Sequence, residues 1–197
     1  MKGLSIHEVG VGETLCPYIM LNNYFTVVKN MPDFTPDMYE ALRQTDKDGG
    51  SNIEKKDGVD KYELVASAQN NDKNNGLARL KAAYPNSIWT KYITAGHTSR
   101  NTNSMPFVLN YIRKASRLSG YNLFPFFERW GFLRQVAMYI GDYGNGWCVF
   151  PKAAYDEFKA DMDELVAKGV LKEMPEGMVE EISNTADRFM PKPVFPN

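Results

Sequence analysis

Histidine and cysteine are scarce in this chain, with two of each among 197 residues. Cys16 and Cys148 stand too far apart to form a paired zinc motif, and their count is compatible with one bridge or with two thiols. Buried thiols are the expectation, because cysteine outside a disulfide behaves as a small hydrophobe. An excess of one charge sign is missing too. There are 23 basic and 24 acidic side chains, a formal net charge of -1, so no bulk field draws in nucleic acid or an anionic membrane. No apolar run approaches the roughly 20 residues that cross a bilayer, and residues 1–11 lack the apolar core of a signal peptide. Membrane insertion is therefore not expected. The sequence also has no glycine-rich phosphate loop, no Ser-His-Asp pattern, no internal repeat and no low-complexity tract.

What is present is an ordinary globular composition, 43% hydrophobic and 24% charged, with 11 tyrosines, 11 phenylalanines and 3 tryptophans. Those rings give a helical domain much apolar area to bury, and residues 1–197 are expected to fold as a single mainly α domain with one small β-hairpin. Thr14 to Val28 predicts a helix apolar on several sides and therefore buried. Thr35 as N-cap, Pro36 at the first helical position and a Phe34–Tyr39 staple predict a helix through about Gln44. Asp60 to Gln69 and Leu77 to Tyr84 predict a helical hairpin. Met105 to Leu118 carries the clearest stripe, with Val108, Tyr111, Ile112, Ala115 and Leu118 inward and Asn110, Arg113, Lys114 and Arg117 outward. Gly120 ends it, Asn122 caps a short helix through Trp130, and Gly131 stops that one. Val136 to Ile140 and Trp147 to Phe150 flank an Asn-Gly step and predict the hairpin. Ala153 to Lys168 returns to helix, with Tyr155, Phe158, Met162 and Leu165 inward and Asp156, Glu157, Asp161 and Glu164 facing water. The proline-rich tail, residues 188–197, is expected to be extended.

One short motif carries chemistry. In zinc peptidases a helical His-Glu-x-x-His places two imidazoles on one face, while the glutamate takes a proton from the metal-bound water as that water attacks a peptide carbonyl. Here His7, Glu8 and Gly10 stand in such a pattern, but the second histidine's place is taken by Val11, which has no lone pair to offer. His97, in a polar stretch, is the other imidazole from which a two-histidine site could be rebuilt with His7.

The run from Phe107 to Phe132 has a second level of meaning. Its helix, its Ser119-Gly120-Tyr121-Asn122-Leu123 turn and its Phe126-Phe127-Glu128-Arg129-Trp130-Gly131-Phe132 element resemble the segment after the active site in enhancin-like, mucin-directed zinc metallopeptidases of the gluzincin group. Asp142-Tyr143-Gly144-Asn145-Gly146-Trp147, the helix from Tyr155 and Met174-Pro175-Glu176-Gly177-Met178 are similar to the ends of such catalytic domains from gut bacteria. The resemblance is strongest over 105–184. It implies the helical subdomain of a gluzincin-type peptidase, an extracellular or cell-surface setting and mucin-type glycoproteins as the target class. Leu21-Asn22-Asn23-Tyr24-Phe25 resembles the helix that carries the family's third zinc ligand, and Glu13 is the nearby acid that could stand in for it.

Carried onto this chain, the family pattern makes His7 and Glu13 the metal ligands and Glu8 the catalytic base, with zinc as cofactor. Because Val11 removes a required ligand, the resemblance implies an inactive or truncated copy, with zinc absent or weakly held, that at most binds a glycoprotein or protein partner. The rival reading keeps an enzyme, with zinc on His7, Glu13 and a third group. A third reading is a helical interaction module without catalysis. Tyr143 and Trp147 are the candidates for stacking on sugar rings, although aromatics at such spacing also serve a core. The oligomeric state is open.

Overall fold

A chain that keeps nonpolar groups at helical spacing in several separate stretches must stack those stretches to hide them, and the computed structural model shows how this one does it. It describes residues 11–48, 61–69, 76–92, 105–140 and 146–185. Among these the protein is mainly helical, with one two-stranded antiparallel sheet.

Helix α1, Val11–Asn23, runs on into a π-helical turn, Tyr24–Val28, where the wider i→i+5 spacing is marked by Lys29 N donating to Tyr24 O at 2.9 Å. Only one side of this segment is covered. Leu21, Tyr24 and Phe25 are buried, whereas Leu15, Ile19 and Val27 are 50%, 53% and 54% exposed. The expectation of a helix buried all round is thus corrected: its apolar residues exceed what its neighbours cover. Cys16, expected to be buried, is an exposed thiol on the same helix.

Helix α2, Phe34–Asp48, starts one residue before the expected cap and extends past Gln44. The expected staple does not form. Phe34 packs on Phe25, with ring centroids 4.8 Å apart, while Tyr39 is 71% exposed. A buried ring on the preceding segment offers Phe34 more area than a residue of its own helix.

Helices α3, Lys61–Gln69, and α4, Gly76–Ala83, pack on each other as the hairpin pattern predicts. A single helical turn, α5, Trp89–Tyr92, follows unannounced and buries Trp89 completely. Helix α6, Met105–Ser119, packs against both α2 and α3. That double contact overturns part of its expected polar face: Asn110 is 3% exposed and Lys114 0%. The Lys114 ammonium is paired with Glu63 of α3, and both side chains are sealed from water.

Gly120 leaves α6 with φ +76°, and an added Cβ would meet nothing within 4 Å. The requirement for glycine there is purely conformational. Gly120→Ala is expected to cost about 1 kcal/mol in urea unfolding, and Gly120→Asn less, since asparagine tolerates the left-handed region; equal losses for the two would contradict this account.

Asn122 Oδ1 accepts from Phe124 N at 3.1 Å, opening α7, Phe124–Arg129. Its Phe124, Phe126 and Phe127 are buried. The strands β1, Val136–Ile140, and β2, Gly146–Phe150, pair from Val136 opposite Phe150 to Ile140 opposite Gly146, as expected. Helix α8, Lys152–Ala167, buries Ala154, Phe158, Met162 and Leu165. The loop after α8 is stitched to the end of α6, with Asn122 N donating to Lys172 O and Lys172 N to Gly120 O. Helix α9, Met178–Ser183, then packs back on α1. Tyr24 OH donates to Glu181 at 2.7 Å, and Trp130 Nε1 to Ser183 Oγ at 3.1 Å. No described helix is long and apolar enough to cross a membrane. The expected extended tail lies outside the described residues.

Candidate functional site

His7, Glu8, Tyr143 and His97 lie outside the described residues. Glu13 is placed on the first turn of α1 and Trp147 in β2 opposite Tyr139, but their side chains also lie outside the description. Val11 is the first residue of α1. A hydrocarbon side chain at that position contributes no donor to a metal, so the sequence around it does not fit a three-ligand zinc site. Among the described residues no cluster of three or more His, Cys, Asp or Glu is arranged to hold a metal ion.

The described residues do build a polar cleft of about 380 Å³, away from that motif, between α3, α4, α6 and α8. Its floor is organised by two carboxylates of α8 that the sequence pattern assigned to open water. Asp161 Oδ2 accepts from Lys61 Nζ at 2.6 Å and from Tyr62 OH at 2.6 Å. Glu157 accepts from Ser87 Oγ at 2.6 Å and from the Ile88 amide at 2.8 Å, and lies 3.5 Å from Lys61 Nζ. Both are corrections to the expected solvated face. Acids at i and i+4 of α8 are each held by donors arriving from α3 and from the segment before α5, so they anchor those segments instead of facing solvent.

Aromatic rings complete the walls. Tyr62 is buried edge-on against Phe158 at 4.8 Å, and the Lys61 ammonium sits 5.3 Å from the Tyr84 ring centre, within cation–π range. Arg113 and Arg117, one turn apart on α6, line the opposite side. Lys168 reaches over from the end of α8 and bonds Glu164 at 2.5 Å. That hydrogen bond holds the Glu164 carboxyl below the usual carboxylate range, and the fields of Lys61 and Arg113 add to it. Lys61, Arg113, Arg117 and Lys168 thus face Asp161 and Glu164, four cations against two carboxylates among the described lining residues. The arrangement favours binding of a polar or anionic group, since guanidinium forks match carboxylate and sulfate geometry while tyrosine rings offer flat apolar faces.

Sequence reasoning did not find this cleft. Its members read one at a time as solvated helix faces, and the signal available in retrospect is weak: arginines at i and i+4 on α6, and acids at i and i+4 on α8. No family model, no curated protein and no solved structure matches this chain.

Proposed function

We propose that this domain is a glycoprotein-binding module of enhancin-like zinc metallopeptidase lineage, equivalent to the helical subdomain of a gluzincin, that has kept the scaffold and lost the chemistry. The observation that carries the loss is Val11. Hydrolysis by the lineage's mechanism needs a nitrogen donor one turn past His7, and an isopropyl group supplies none. Support for binding comes from the cleft, whose rings and guanidinium groups suit a hydroxylated or acidic sugar. Such a module would act outside the cell or at its surface, where mucin-type glycans are met.

The test pairs metal analysis with a glycan array on the full chain. The expected result is no stoichiometric zinc after zinc addition, together with array binding that falls at least tenfold in an Arg113→Ala/Arg117→Ala variant. Stoichiometric zinc that disappears on His7→Ala would restore the rival enzyme, with Glu8 as base and Glu13 among the ligands. An array without signal would remove the glycan and leave the module to a protein partner. A signal lost on Trp147→Ala but kept in the arginine variant would move the sugar site to the hairpin.

A further inference from the structure

A second cavity, about 280 Å³, opens between α1, α2 and α6. It differs in kind from the polar cleft. Tyr18 and Tyr111 form one wall, meeting edge to face at 4.6 Å; Met38 and Leu42 form another, and the exposed Tyr39 stands at the rim. Burial pushes the Tyr18 and Tyr111 hydroxyls well above the usual phenol range, and for Tyr111 the neighbouring phenols Tyr18 and Tyr39 add to the shift. These walls therefore stay uncharged at any physiological pH and favour a neutral guest. Asn22 also lines the cavity, and its Oδ1 is excluded from solvent with no hydrogen-bond donor reaching it. An amide oxygen in that position is costly to leave unmade, and an entering N–H or O–H group would relieve it. The volume lies near the lower end for ligand pockets, which suits one ring or a fused pair and excludes a long chain.

From these features together, we propose that the α1–α2–α6 cavity binds a small neutral aromatic molecule carrying a hydrogen-bond donor, of the phenol or indole class. The ring packs against Tyr18, Tyr111 and Met38, where aromatic edges and a thioether make favourable contacts. The donor goes to Asn22 Oδ1.

Two-dimensional amide NMR of the full chain titrated with indole tests this. Saturable shifts of the Asn22 side-chain amide and of α1 and α2 backbone amides are expected, with 1-methylindole, which lacks the N–H, binding about tenfold more weakly. Leu42→Trp should fill the cavity and abolish the shifts while the rest of the spectrum remains that of the folded protein. Asn22→Leu keeps the cavity and should make indole and 1-methylindole bind alike, a readout that survives if the tryptophan variant fails to fold. No saturable shift with indole or phenol at millimolar concentration would overturn the proposal. So would shifts undiminished in a folded Leu42→Trp protein, equal affinity for indole and 1-methylindole in the unsubstituted chain, or binding of a tryptophan-containing peptide where free indole fails.

Discussion

Replacing Lys114 with alanine is expected to remove about 3–5 kcal/mol of unfolding free energy, because it leaves the Glu63 carboxylate sealed in the interior without its cation. Both side chains are 0% exposed, so water cannot take over the missing role. Folded domains are stable by only about 5–15 kcal/mol, and the variant should sit near the edge of folding at room temperature. The sharper result lies in the double replacement. Glu63→Leu with Lys114→Met removes both charges at similar volume and is expected to be neutral or stabilising, since a buried pair recovers little more than its own desolvation cost. Guanidinium unfolding of the two single variants and the double variant measures the difference. A Lys114→Ala loss under about 1 kcal/mol would mean that the pair is solvated after all.

Phe127→Ala is the second large effect, about 3–5 kcal/mol. The ring is fully buried and central to an aromatic cluster, with centroids 5.3 Å from Phe126, 5.3 Å from Phe132, 6.1 Å from Tyr111 and 6.2 Å from Tyr18. Its removal opens a cavity bounded by α1, α6 and α7, whose rigid rings relax poorly into the space. For a chain of this length each kcal/mol shifts the melting temperature by roughly 2–4 °C, so calorimetry should record a fall of roughly 6–20 °C. Phe127→Leu should recover more than half of the loss. A Phe127→Ala protein melting within about 2 °C of the parent would show that this cluster is not what holds the three helices together. Exposed Phe107 on α6 provides the control: Phe107→Ala should change stability by no more than about 0.5 kcal/mol.

The two buried-core predictions differ in how far they could be read before the fold was known. Phe127 stands in a short segment bracketed by Asn122 and Gly131, with rings at helical spacing, and its burial follows from that local pattern. Lys114 stands in an amphipathic helix at a position that the same kind of pattern assigns to water. Its burial depends on Glu63, which comes from α3, 51 residues earlier. The same reasoning separates α8's two faces. Phe158, Met162 and Leu165 are inward as their period requires, whereas Glu157 and Asp161 are captured by Lys61, Tyr62, Ser87 and Ile88 from distant stretches. The His7-Glu8 motif and its missing partner at Val11 remain a matter of sequence, legible in the order of the residues alone.

The order of residues by itself determined the mainly helical character, the ends of α6 and α7 and the hairpin, because capping, glycine conformation and hydrophobic period act within a few residues of each other. It also determined that Val11 offers a metal no lone pair, which is a property of the side chain in any fold. Only the tertiary structure decided that α6 is covered on two sides, that Lys114 is buried, that Glu157 and Asp161 anchor a cleft, and that Tyr18, Asn22 and Tyr111 share a cavity. Each of these joins groups from separate helices, and the balance between burial and solvation at such a group is set by what packs over it, which no local pattern encodes.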